Sequence, residues 1–164
     1  STRTTHPHFI DSIQDIFDQI GIPCKIVNPY QFKTKGQMAA ECQNRQLLAK
    51  IADNTVSCSH WKRKKMQCGI CVPCIIRRAA LHAGRINDNS SYCCDPITGV
   101  LNQPNRRDDL QALRIAVTQK TTREIGSWVA NSGPLPADKF KEFQKVFLDG
   151  LNEVESFLKT EGIL

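Results

Sequence analysis

Cys58, Cys68, Cys71 and Cys74 stand in the pattern C-x9-C-x2-C-x2-C. No other feature constrains this chain as tightly. Three thiols within seven residues must either share an ion, pair as disulfides or be buried as free groups. Tetrahedral zinc takes four soft ligands from a short stretch of chain, and a C-x2-C turn delivers two of them to one ion. The same run is similar to part of an iron–sulfur ligand set, but the closely following fourth cysteine which that set wants does not come until Cys93. Free core thiols would not be flanked by Lys and Arg. The spacing therefore favours zinc. A site filled by four sulfurs has no open position, so it is structural, not catalytic. His60 is a substitute ligand, with an exposed or otherwise satisfied imidazole the better reading.

Charge supports the cluster. The chain carries +6 overall. Between Cys58 and Asn87 stand Lys62, Arg63, Lys64, Lys65, Arg77, Arg78 and Arg85 with no acid among them. The remainder sums to −1, so the basic excess belongs to one segment. Four thiolates around zinc leave a formal charge of about −2, which such surroundings offset while keeping the thiols ionised. Phosphate or nucleic acid would answer the same charge, and so would solvent around a surface loop.

The other cysteines read differently. Cys24 and Cys42 sit among apolar residues and are expected in the core; Cys93 and Cys94 are structural or incidental. The N-terminal residues are polar and give no secretory signal, so a cytoplasmic protein with metal-bound or free thiols is expected instead of four disulfides. No apolar run is long enough to span a membrane.

With 164 residues and 40% apolar content the chain can bury a core. Phe9, Ile10, Ile13, Ile16, Phe17 and Ile20 follow the helical period up to Gly21. Ile22 to Val27 reads as a strand, and Thr34 to Lys50 as a helix. Helix, strand, helix is the order of an α/β domain, whose remaining strands would come from outside this chain. Cys71 to Ala83 predicts a helix, Asn87 to Asn105 a loop, and Asp108 to Val117 a helix. Thr121 and Thr122 cap a short helix carrying Ile125 and Trp128. The last helix is the clearest, with Phe140, Phe143, Phe147, Leu151, Val154 and Leu158 on one stripe, read as core packing.

Two polar clusters remain. Lys33, Thr34, Lys35 and Gly36 stand where a loop hands over to a helix, a place suited to phosphate; Thr34 is equally a plain N-cap. Arg77 and Arg78 follow Cys74 and are placed to clamp a carboxylate or phosphate, or to remain as surface charge. There is no Walker-type loop, no G-x-G-x-x-G and no pair of catalytic carboxylates.

Several of these stretches resemble one family. Ser1-Thr2-Arg3-Thr4-Thr5-His6-Pro7, Asn28 to Gly36, Cys58-Ser59 and Cys68 to Ala80 are similar to the C-terminal half of QueC-like proteins. The likeness is closer to the divergent type found in anti-phage systems such as Qat than to the 7-cyano-7-deazaguanine synthases of the queuosine pathway. It covers residues 1–95, leaving 96–164 as a loop and helical extension.

The resemblance implies the C-terminal part of an adenine-nucleotide α-hydrolase-like (PP-loop) α/β domain with a four-cysteine zinc site. It implies an ATP-dependent C–N ligase, using ATP and Mg2+, that adenylates the carboxylate of a 7-carboxy-7-deazaguanine-type substrate. By the same resemblance Cys58, Cys68, Cys71 and Cys74 hold zinc, Lys35 faces nucleotide phosphates as a catalytic residue, and Arg3, Thr4, His6, Arg77 and Arg78 bind substrate. The family's Ser-Gly-Gly-x-Asp-Ser loop is absent from these residues. The expected partners are therefore the half that bears that loop, a 7-deazaguanine, and a protein acceptor or defence-system component. One alternative is a queuosine-pathway 7-cyano-7-deazaguanine synthase proper; the other, from a different class, is a zinc-stabilised nucleic-acid-binding module.

Overall fold

The computed structural model describes residues 5–101 and 108–164. Arg3 and Thr4, both expected at the substrate, lie outside the described residues.

Among the described residues eight α-helices follow one another: α1 (Pro7–Gln19), α2 (Lys35–Ala40), α3 (Arg45–Ala52), α4 (Trp61–Lys64), α5 (Val72–Ala83), α6 (Asp108–Thr118), α7 (Thr122–Ala130) and α8 (Phe140–Thr160). Short 3-10 turns stand at Ile97–Val100 and Ala137–Lys139. The helix starts follow local chemistry. Pro7 opens α1. Thr34 and Gln37 form a reciprocal capping box on α2, as Thr121 and Glu124 do on α7. The amide of Val72, at the first turn of α5, finds its acceptor in Asp109 of α6 at 3.1 Å.

The core is built by α5, α6 and α8. Ile75, Ile97, Val100, Leu110, Val154 and Leu158 are all at most 3% exposed, and the buried cysteines pack into the same cluster. α8 lies across α5, and α6 and α7 pack on α8. The stripe expected on α8 is a packing stripe: Leu151, Val154 and Leu158 are buried, while Phe147 at its N-terminal half pairs with Trp128 at a ring separation of 6.0 Å.

Three expectations are corrected. The first is the strand at Ile22–Val27: among the described residues no strand ladder forms, the only pairing is an isolated bridge between Gln67 and Tyr92, and the architecture they show is helical. A strand exists by hydrogen bonding to a neighbour. Here the neighbour is one side chain, for the Gln14 amide donates to Cys24 O at 2.9 Å and accepts from Ile26 N at 2.8 Å. The second is the helix over Thr34–Lys50, which is broken at Glu41–Asn44. Asn44 caps a new helix by accepting from Leu47 N, and Arg45 donates to Ala40 O and across to Gly84 O. The third concerns Cys24, exposed on the Gln14-bound segment, and Cys42, half-buried; neither lies in the main core.

Candidate metal centre

The knot forms where two loops meet the start of α5. Cys58 lies just before α4, Cys68 follows it, Cys71 is the N-cap of α5 and Cys74 stands in its first turn. Gly69 adopts φ +82°, which favours glycine, and a Cβ there would lie 2.7 Å from the carbonyl oxygen of Cys94. That close approach brings the Tyr92–Cys94 segment alongside Gln67–Gly69, with Cys93 N donating to Gln67 O at 2.9 Å.

Backbone amides point at the sulfurs of Cys58 and Cys68. Cys58 Sγ accepts from the amides of His60 at 3.3 Å and Cys68 at 3.2 Å. Cys68 Sγ accepts from Cys71 N at 3.3 Å. The ligand atoms of Cys58, His60, Cys68 and Cys71 all lie within 4.8 Å of one another. Cys68 and Cys74 sulfurs are 3.9 Å apart, far beyond a disulfide bond. All four cysteines are buried, and His60 is exposed. This donor set fits zinc or a similar soft cation. Cys74 lies outside the four-atom set, and His60, the substitute ligand expected from the sequence, stands inside it.

The thiols are poised unequally. Burial alone would raise the Cys71 thiol, but the hydroxyl and backbone of Ser59, then the backbone of Cys74, turn toward it and bring it down to about 6. Burial raises Cys68 to about 11, and raises Cys74 further. Metal binding would draw protons from the last two and meet Cys71 already ionised at neutral pH. Sequence reasoning gave Ser59 no role of its own, although its place directly after Cys58 is a usable signal.

The remaining expected site residues divide among three places. Lys35 and Arg77 line one apolar groove of about 310 Å³ between α2, α3 and α5, together with Ser57, the residue before Cys58. Lys35 is exposed there. Arg77 is 6% exposed, and its guanidinium donates to Ala52 O at 2.7 Å, Ser90 Oγ at 2.8 Å, Tyr92 OH at 3.2 Å and the Thr55 hydroxyl. Arg78 lies on another face, between the rings of Tyr92 and Phe157, and pairs with Asp95 at 2.8 Å and Glu161 at 3.8 Å. His6 packs in an apolar recess with Trp128 and Phe147, and its buried Nε2 has no hydrogen-bond partner among the described residues.

The α2 start is already occupied by the chain itself. Glu153 of α8 accepts from the Thr34 hydroxyl and from Gly36 N at 3.3 Å. Sequence reasoning missed Glu153, because nothing local ties it to a residue 119 positions away.

Helices assembled around a buried cysteine cluster that could hold a metal ion define the class of protein. The family model of queuosine biosynthesis protein QueC matches residues 4–84, and over that stretch the chain is similar to that family. No curated protein and no solved structure matched it. At the family level QueC implies an ATP-dependent ligase or synthase. Among the described residues no helix is long and apolar enough to cross a membrane.

Proposed function

We propose that this chain is the zinc-bearing part of a QueC-like ATP-dependent C–N ligase. The family match over residues 4–84 carries the reading, because that stretch includes both the α2 start and the whole cysteine knot. Zinc is held by Cys58, Cys68, Cys71 and Cys74. Cys74 is fully buried in the first turn of α5 with its sulfur turned to Cys68, whereas His60 is exposed. The zinc fixes the start of α5 and so sets the wall of the groove shared by Lys35 and Arg77.

ATP does not fit this chain alone. The sequence has no Ser-Gly-Gly-x-Asp-Ser loop, and the α2 donors that would suit a phosphate are bonded to Glu153. The nucleotide and Mg2+ belong to a complementary PP-loop segment, with Lys35 facing it. The substrate is a 7-carboxy-7-deazaguanine-type acid, whose carboxylate becomes a good acyl donor only once adenylated. The setting is bacterial anti-phage defence, with a protein or nucleic acid as acyl acceptor. Residues 1–95 carry the QueC-like part and 96–164 form the extension.

The zinc-loaded chain, combined with a segment bearing the missing loop, should release pyrophosphate only when ATP and 7-carboxy-7-deazaguanine are both present. Absence of release with ammonia, protein and nucleic-acid acceptors alike would overturn the ligase reading.

One observation favours a second reading. Lys62 and Lys65 are exposed beside Trp61 and the knot, and among the described residues neither has an ion-pair partner. A zinc-ordered basic face of this kind suits nucleic acid, with affinity falling steeply as salt rises.

A further inference from the structure

His6 is an expected site residue that the proposed function does not use. It is the N-cap of α1, yet its side chain caps nothing. It stands inside the stretch that matches the family model, whereas the walls around it come from the other end of the chain. Trp128 belongs to α7, and Phe143, Val146 and Phe147 belong to α8. With Pro7 they line a recess of about 230 Å³.

The recess offers a ligand one polar atom. Ser132, which also lines it, donates its hydroxyl to Val129 O at 2.8 Å. The buried Nε2 of His6 has no hydrogen-bond partner among the described residues. A buried ring nitrogen is ordinarily bonded, because leaving it unpaired forfeits its hydration without return. A Cβ at Gly133 would stand 3.3 Å from this nitrogen, so glycine keeps room beside it.

Size, charge and hydrogen bonding select the ligand. An apolar cavity of about 150 Å³ holds benzene, so this recess takes a whole one-ring molecule with a substituent. No Asp, Glu, Lys or Arg lines it, so an ionised ligand would lose its hydration with no counter-charge in return. A hydroxyl both donates and accepts, and therefore satisfies Nε2 in either tautomer of the imidazole. A 7-deazaguanine has polar groups on several edges and would leave most of them unpaired against these walls.

We propose that the recess binds a free, neutral phenol, with its ring against Trp128, Phe143 and Phe147 and its hydroxyl on His6 Nε2. Such a ligand ties the start of α1 to α7 and α8, and so joins the family-matched stretch to the extension. This goes beyond the proposed function, and its test needs neither ATP nor pyrophosphate release.

The probe is p-cresol, titrated into the 15N-labelled, zinc-loaded chain. The Trp128 indole N–H and the His6 ring nitrogens should shift with millimolar or tighter affinity. Toluene, the same shape without the hydroxyl, should bind at least fivefold more weakly, and benzoate and benzylammonium at least tenfold more weakly. His6→Phe keeps a ring and removes the nitrogens, so p-cresol should fall to the affinity of toluene. Val146→Trp fills the recess and should abolish binding of both, with zinc content and circular dichroism unchanged. The comparison of p-cresol with toluene on the unaltered chain stands even where a variant misfolds. No shift at Trp128, or equal affinity for p-cresol and toluene, overturns the proposal. Tighter binding of N-acetyltyrosinamide than of p-cresol also overturns it, assigning the recess to a tyrosine side chain. Displacement of p-cresol by 7-carboxy-7-deazaguanine overturns it too, giving the recess to the substrate and leaving the ligase reading in place.

Discussion

The Thr34 hydroxyl donates to the carboxylate of Glu153, joining the cap of α2 to the middle of α8 across 119 residues of sequence. The same carboxylate accepts from Gly36 N at 3.3 Å, and Gln37 reaches Asp149 of α8 at 3.2 Å. The bond to Thr34, itself 7% exposed, is therefore shielded from water on one side.

This arrangement makes the effect of Gly36→Ala depend on Glu153. A Cβ at Gly36 would stand 2.5 Å from the Glu153 carboxylate and push it off its donors. Losing hydrogen bonds to a charged acceptor costs about 1.5–3 kcal/mol, against about 1 kcal/mol gained from replacing glycine in a helix. Gly36→Ala should therefore destabilise the chain on its own and stabilise it when Glu153 is already alanine. Urea unfolding of the four members of the cycle reads the coupling; additive effects would mean that Glu153 does not hold the α2 start.

Arg77 should matter to stability more than Arg78. Its guanidinium joins α5 to the end of α3 through Ala52 and Thr55, and to the loop beyond α5 through Ser90 and Tyr92. Arg77→Ala strands several buried acceptors and hydroxyls, with an expected loss of about 3–5 kcal/mol. Arg77→Lys should recover little, since one ammonium cannot reach four separated partners. Arg78→Ala removes stacking and a partly exposed ion pair, about 1 kcal/mol. Denaturation midpoints of the three variants decide the order.

What the sequence discloses here depends on how local the cause is. The α8 stripe was legible because periodicity is a local property, and Leu158 is buried where that pattern puts it; the cysteine spacing, equally local, marked a cluster that could hold a metal, of which His60 is also a member. The capping box at Thr121 was legible for the same reason. The apolar run at Ile22–Val27 was not, because a short run does not disclose whether a neighbouring strand is present, and here a glutamine side chain stands in. The break between α2 and α3 was hidden likewise: Arg45 is held by Gly84, 39 residues on. The partners of Arg77 were hidden likewise, since they come from two stretches distant in sequence, Ala52–Thr55 and Ser90–Tyr92.

The uneven burial of the chain predicts where substitutions are tolerated. Ile20→Gln, at a side chain 64% exposed, should change stability by less than about 0.5 kcal/mol. Leu158→Ala, at a side chain with no exposure, should cost about 2–5 kcal/mol. An equally large loss at Ile20 in thermal unfolding of the isolated chain would show that its face is covered in solution.

Stripped of metal, the chain should show a stability maximum near pH 9. Cys71 is lowered to about 6 from the ordinary 9.0, so the stability it contributes is present above pH 9 and disappears as pH falls toward 6. Cys68 is raised to about 11, so its contribution is complete below pH 9 and is lost as pH rises toward 11. Unfolding of chelator-treated protein across pH 5–11 measures both limbs. A flat profile would remove the inequality between the two thiols.

The ligand set separates by substitution at Cys74 and His60. Four-thiolate coordination predicts that His60→Ala keeps one zinc per chain and an unchanged cobalt(II) charge-transfer spectrum. Cys74→Ser should then lower metal affinity by at least tenfold and weaken the thiolate bands by about a quarter, the share of one sulfur in four. Ser59→Ala should leave the ligand count intact and weaken binding near neutral pH, because the Cys71 thiolate loses its hydroxyl donor. If the cobalt spectrum changes in His60→Ala and not in Cys74→Ser, the centre has three thiolates and one imidazole. It is then built from Cys58, His60, Cys68 and Cys71, the four residues whose ligand atoms already lie within 4.8 Å of one another.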